Sequence, residues 1–215
     1  MNMAQNIALL RENGVPESNI VTLITYYPRT TAPKNDLFKQ RVEEIKQMGF
    51  DLSNNLFVIA LHVFTSMNKS TWKKKLEVYQ RWGFSQNEVL LAFRKHPWFM
   101  SHSEKKIMRH MDFFVNKMGC EQAIIITYPY LLGYSLEKRI LPRCSVLRVL
   151  ILKGLVKENC NMGSLIITSE KHFLEKFVTK YENEFPQLLD LYKGNTSSLL
   201  GFRYGIEEVD GKNLM

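Results

Sequence analysis

The sequence predicts an all-α protein, a right-handed-type helical-repeat solenoid of about 35-residue units. Two observations carry this. Gly14, Gly49, Gly83, Gly119 and Gly154 follow one another at gaps of 35, 34, 36 and 35 residues, and a fixed period in that range marks a stacked helical array. Apolar residues keep phase with the glycines. Four positions before each glycine lie Leu10, Ile45, Tyr79, Val115 and Leu150. Seven before lie Ile7, Val42, Leu76, then Asp112 with Met111 beside it, then Leu147. Eleven before lie Met3, Phe38, Trp72, Met108 and then Arg143. Spacings of three and four place these side chains on one helix face.

Each repeat reads as helix, turn, helix, glycine. The glycine ends the second helix, because the residue after a helix commonly needs a left-handed backbone. Arg11, Lys46, Arg81, Lys117 and Lys153 sit in the last turns, where the negative end of the helix dipole favours cations. The first helices read Ile20–Ile24, Leu56–Leu61, Val89–Phe93, Ile124–Ile126 and Leu165–Ile167. Ser85 to Glu88 fits a capping box. Pro28, Pro97 and Pro129 close three of these helices, since proline cannot continue a helix and disfavours it at the residue before. Val63 and Thr168 hold the equivalent places in the second and fifth repeats. Pro129 comes early, so the fourth repeat has a short first helix.

The expected organisation is one repeat domain over 1–194. Its repeats run approximately 14–48, 49–82, 83–118, 119–153 and 154–194, after a partial repeat at 1–13 and before a loose tail at 195–215. Stacked repeats share one core, and 45% hydrophobic content supplies it. No apolar stretch reaches the ~18–20 residues of a membrane span. Cys120, Cys144 and Cys160 have no metal-ligand spacing and form no even set, so free thiols are expected. No nucleophile elbow, zinc-protease, P-loop or dinucleotide motif is present. An enzyme, a metal and a cofactor are therefore not expected. Residues 1–13 lack the composition of a transit peptide and the apolar stretch of a signal peptide. The chain begins inside a repeat, so a shortened member of a longer type is expected.

The net charge is +8, and its distribution says more than its size. Lys69/Lys73, Lys105/Arg109 and Arg139/Arg143 are like charges four residues apart in successive repeats. Such pairs repel on their own helix by a few tenths of a kcal/mol. Recurring, they predict a stripe that awaits an external polyanion. Lys39 shares the Lys73 position, and Lys34 lies one residue off the position of Lys69 and Lys105. Phe38, Trp72, Phe113 and Phe114 fall on core faces and are expected to pack, with Trp72 fully buried. Trp98 and Tyr130 follow prolines and are expected to cap the repeat core.

One stretch carries a family pattern. Pro129-Tyr130-Leu131-Leu132-Gly133-Tyr134-Ser135-Leu136-Glu137-Lys138-Arg139 continues to Leu141-Pro142-Arg143, then Leu152-Lys153-Gly154-Leu155, Phe173 to Val178, and Tyr192-Lys193-Gly194. This resembles the C-terminal repeats of plant members of the mitochondrial transcription termination factor (mTERF) family. The resemblance is carried by residues 83–194; over 14–82 the period and Pro28 carry it. It implies helix–helix–short-helix units with a basic concave groove. It implies binding of double-stranded DNA, and in some members RNA, in mitochondria or chloroplasts, with roles in transcription termination, gene expression or splicing. Organellar transcription or splicing proteins are implied partners, and a monomer without a membrane anchor is expected. Within the motif, Lys138, Arg139 and Arg143 are the implied nucleic-acid contacts. A pentatricopeptide-type RNA reader would show recurring small polar code residues, which are absent. A protein-binding scaffold of tetratricopeptide or HEAT type remains the alternative.

Overall fold

The computed structural model describes residues 2–157 and 161–194. Among these residues every regular element is helical. The α-helices are α1 (Asn2–Glu12), α2 (Glu17–Tyr26), α3 (Asn35–Gln47), α4 (Asn55–Thr65), α5 (Lys69–Arg81), α6 (Gln86–Lys95), α7 (Glu104–Met111), α8 (Ala123–Thr127), α9 (Leu141–Leu152), α10 (Met162–Ile167), α11 (Glu170–Phe173) and α12 (Leu188–Tyr192). Cys160 and the tail from 195 lie outside the described residues.

The glycines end helices as the sequence predicts. Gly14, Gly49, Gly83, Gly119 and Gly154 have φ of 79°, 86°, 85°, 66° and 70°, and a sixth, Gly194, has 81°. Four of them build the same closing motif. The glycine N–H of Gly14, Gly49, Gly83 and Gly154 donates to Arg11, Lys46, Gln80 and Ile151 carbonyls at 2.9 Å. The next N–H reaches back over the glycine, from Val15 to Leu10 at 3.0 Å and from Leu155 to Leu150 at 2.9 Å. This pair of bonds satisfies carbonyls that a helix end otherwise orphans. At Gly49 the space is also tight, since a Cβ there would meet the Arg94 guanidinium at 3.2 Å.

The fourth closure differs, and the difference explains the 36-residue gap. Residues Asp112–Lys117 continue α7 as a π-helix. The Met118 N–H donates to the Phe113 carbonyl, and Cys120 reaches Phe114 rather than Val115. One extra residue is therefore inserted before Gly119. Everything upstream shifts by one. Ile107, Met111 and Phe114 are fully buried, while Met108 is 39% exposed. They match Phe38, Val42 and Ile45 of α3, also buried, one place further from the glycine. The expectation that Met108 is a core residue is thus corrected by the π-insertion. Leu136–Ile140 and Leu174–Val178 are π-helical too.

The prolines act as predicted. Pro28, Pro97 and Pro129 each open a short 3₁₀ turn, Pro28–Thr31, Pro97–Ser101 and Pro129–Gly133. Proline fits there because its fixed φ suits a helical first position and its missing N–H has no partner to lose. The second repeat lacks the proline, and α4 runs on to Thr65 with no 3₁₀ turn after it. The capping box forms, with Ser85 and Glu88 bonded reciprocally. The short first helix of the fourth repeat is α8, at 5 residues.

The chain divides into two compact units, one up to Met108 with Ile125–Pro129, the other Arg109–Ile124 with Tyr130 onward. In the first, α3 packs on α4, α2 on α4, and α4 on the 97–101 turn. Trp72 is half-buried rather than fully buried. Its ring stands edge-on to Phe64 at 4.9 Å and to Phe93 at 5.1 Å. In the second unit the core joins α9 to α11, the following π-turn and α12 through Leu147, Leu150, Phe173, Phe177, Leu188 and Leu191.

Candidate nucleic-acid interface

In the first unit the cations cluster at the starts of second helices. Lys34 is the N-cap of α3, Lys69 the first residue of α5, and Lys105 the second of α7. All three are exposed, as are Lys39 and Lys73. A helix N-terminus already carries partial positive charge, so a cation there is disfavoured by its own helix. The side chain and the helix end instead add their fields, which draws anions. Lys69, whose side chain is 71% exposed, lies 3.7 Å from a Glu44 carboxylate oxygen. Lys73 and Lys105 have no carboxylate within ion-pair distance among the described residues.

In the second unit the predicted residues part ways. Arg109 is exposed and pairs with Glu137. Lys138 is exposed. Arg139 and Arg143 are turned inward. Arg139 donates to the carbonyls of Ile167 at 3.0 Å and Thr168 at 2.6 Å, and lies 4.0 Å over the Tyr134 ring. Arg143 is 1% exposed and donates to Ile166 at 2.7 Å and Thr168 at 2.6 Å, over the Phe173 ring. These are the last carbonyls of α10, which the two guanidinium groups cap. Burial, then the neighbouring Arg139 charge, lowers the pKa of Arg143. Arg143 is therefore corrected from a phosphate contact to an internal clamp, and Arg139 is largely committed to the same role.

The clamp has relatives that sequence reasoning missed. Asn6, Arg41 and Lys75 each lie eight residues before their glycine, and His110 lies nine before, as the π-insertion requires. All four are buried. Asn6 donates to Thr31 and Pro33 carbonyls at 2.9 and 2.8 Å. Lys75 donates to the His102 carbonyl, and burial lowers its pKa. His110 Nε2 lies 3.1 Å from the Tyr134 carbonyl. Asn6, Lys75 and His110 each reach the end of the next 3₁₀ turn, 24–27 residues ahead, and meet carbonyls there. Arg41 belongs to the repeat whose successor has no such turn, and it pairs with Glu44 at 3.0 Å. The signal in the sequence was a polar residue recurring beside the apolar stripe.

Of the aromatic residues, Trp98, Phe113 and Phe114 pack as expected, and Tyr130 does not. Trp98 is half-buried at 6.0 Å from Tyr27 and 5.5 Å from His62, and Tyr27 stacks on His62 at 4.2 Å. Phe113 and Phe114 are buried, whereas Tyr130 is 41% exposed. Cys144 is buried and its thiol is pushed well above its usual pKa. Among the described residues no three His, Cys, Asp or Glu side chains are grouped to hold a metal. No helix there is long and apolar enough to cross a membrane.

The geometry can now be set beside known proteins. The chain is 20% identical over 167 residues to "Transcription termination factor MTERF8, chloroplastic" of Arabidopsis thaliana, covering 78% of this chain and 32% of that protein. It is 23% identical over 180 residues to "Transcription termination factor MTERF15, mitochondrial" of the same plant, covering 77% and 40%. A third relative there, "Transcription termination factor MTEF18, mitochondrial", is 21% identical over 137 residues, covering 64% and 24%. The chain thus spans well under half the length of each of these relatives. The mTERF family pattern matches residues 1–174, most of the repeats described above, and the chain belongs to the mTERF family.

Proposed function

We propose that this chain is a nucleic-acid-binding regulator of organellar gene expression that works by binding alone. Its relatives carry the names of chloroplast and mitochondrial transcription termination factors, which supports an organellar setting and double-stranded DNA, or RNA, as the partner. The observation that carries the proposal is the exposure of Lys69 and Lys105 in the first turns of their helices, where the helix dipole disfavours a cation, and of Lys73 one turn further along α5. Lysines act as compact point charges, and their commonest contacts to nucleic acid go to phosphate oxygens. The contacts are therefore to phosphates and give affinity with little sequence preference.

The test is binding of duplex DNA and of single-stranded RNA across a salt series. Each lost phosphate contact lowers the log–log slope by about 0.9 on duplex and about 0.7 on single strands. Lys73→Ala with Lys105→Ala should lower the slope by about twice that, weaken binding to all sequences, and leave the melting temperature nearly unchanged. Parent-like binding of this double variant at every salt concentration would overturn the proposal and favour a protein-binding scaffold.

A further inference from the structure

Two of the exposed cations do not stand alone. Arg109, with a side chain 60% exposed, pairs with Glu137, and Lys69 lies 3.7 Å from Glu44. Each pair joins two repeats, 28 and 25 residues apart in sequence. Exposed pairs contribute only about 0–1 kcal/mol to stability, so the fold does not depend on them.

The carboxylates are held independently of their cations. The Ser135 hydroxyl bonds Glu137 Oε2 at 3.2 Å. A backbone N–H bond, more than the Arg109 charge, keeps its carboxyl below the usual carboxylate pKa. Glu44 accepts from Gln40 at 2.8 Å and from Arg41 at 3.0 Å, and its side chain is only 24% exposed. When a phosphate arrives at Arg109 or Lys69, the carboxylate stays in place beside it.

Resting on the nucleic-acid reading above, we infer that each unit limits its own affinity for phosphates: Glu44 occupies Lys69 in the first and Glu137 occupies Arg109 in the second, each as an internal phosphate stand-in. A phosphate at either cation meets a fixed negative charge within a few ångströms, and like charges so placed repel. A cation already neutralised by a carboxylate cancels less phosphate charge, so fewer counterions leave the nucleic acid. Lys73, Lys105 and Lys138 have no such partner among the described residues and act as full contacts. Each unit therefore holds nucleic acid loosely by construction, with one cation in reserve.

The experiment measures duplex binding across a salt series for the parent, Glu137→Gln, Glu44→Gln, Arg109→Ala and the Glu137→Gln/Arg109→Ala double variant. Glutamine keeps the shape and removes the charge. Glu137→Gln should tighten binding about fivefold at moderate salt and steepen the slope by up to about 0.9. Glu44→Gln should move both in the same direction but less, because Glu44 is shared with Arg41. In the double variant the gain should vanish. Unchanged or weaker binding by Glu137→Gln, with the parent binding in a salt-dependent way, overturns this inference and leaves the proposed function standing. A gain that persists without Arg109 overturns it as well. A parent that binds neither duplex nor single strand overturns both.

Discussion

Helix α5 and the helical run 136–152 carry the same sign in sequence and use it in opposite ways. Lys69 and Lys73 lie four apart, as do Arg139 and Arg143. The lysines are exposed, whereas Arg143 is 1% exposed and Arg139 is held to carbonyls. What decides the outcome is the partner each helix meets. The 136–152 run meets the last carbonyls of α10, and one nitrogen of each guanidinium donates to two of them at once. Helix α5 also supplies one inward cation, Lys75, which caps the His102 carbonyl. Its other lysines lie on the far side of the helix. A like-charge pair is thus a question about the neighbouring backbone, and only the unanswered pair is left for an external ligand.

The largest effect should come from breaking the clamp. Arg143→Ala removes one of two donors from the Ile166 and Thr168 carbonyls, Arg139 keeping the other, at about 1.5–3 kcal/mol for each charge-assisted bond lost. The total loss should be about 3–5 kcal/mol, read from denaturant unfolding. Arg143→Lys should recover only part of it, since an ammonium can replace the single nitrogen that makes both bonds but not the planar stack over the Phe173 ring, and it is more strongly hydrated. In contrast, Lys73→Ala should change stability by less than about 0.5 kcal/mol. Equal effects at the two positions would erase the distinction between clamp and surface.

How far this was legible depends on where the partners lie. The glycine and proline signals were readable because they are local: a left-handed closing residue and a missing N–H act on their own turn. The exposure of Lys73 and Lys105 was readable from their charge, since an unpaired lysine is almost never fully buried. The fate of Arg143 was not, because its partners are backbone carbonyls 23 and 25 residues on, and every residue has a carbonyl. Trp72 was placed on the correct face but beside Phe64 and Phe93 at the edge of the core, and periodicity gives a face without a depth. The π-insertion was half visible. Asp112 stood where an apolar residue was due and Met111 stood beside it, and the 36-residue gap marked one extra residue.

That insertion supplies the next test. If the extra residue shifts the buried stripe, Ile107→Ala removes a fully buried side chain and should cost about 2–5 kcal/mol. Met108→Ala, at a position 39% exposed, should cost well under that. The neighbouring pair therefore reports the register of α7 directly. A larger loss at Met108 than at Ile107 would restore the unshifted register and remove the equivalence between Ile107 and Phe38.

The smallest effect sets the two units' buried groups against each other. Arg143 is a cation held by carbonyls at its Nη1, whereas the aromatic seam of the first unit needs a neutral ring. His62 stacks on Tyr27, stands edge-on to Trp98 and shares a 3.0 Å hydrogen bond with the Thr30 hydroxyl. Burial holds its pKa below the ordinary value of 6.5, and His96 is lowered for the same reason. The unfolded chain therefore takes up protons first as the pH falls. Stability from the neutral rings is complete above about pH 6.5. It declines as the pH drops through that value, and the decline ends once the folded-state rings have also protonated. Melting temperatures at pH 7.5 and pH 5 should show this loss in the parent. In His62→Phe the loss should shrink without vanishing, because His96 still titrates. An undiminished loss in His62→Phe would mean that the seam tolerates a charge as the clamp does, and that the contrast between the two units lies elsewhere.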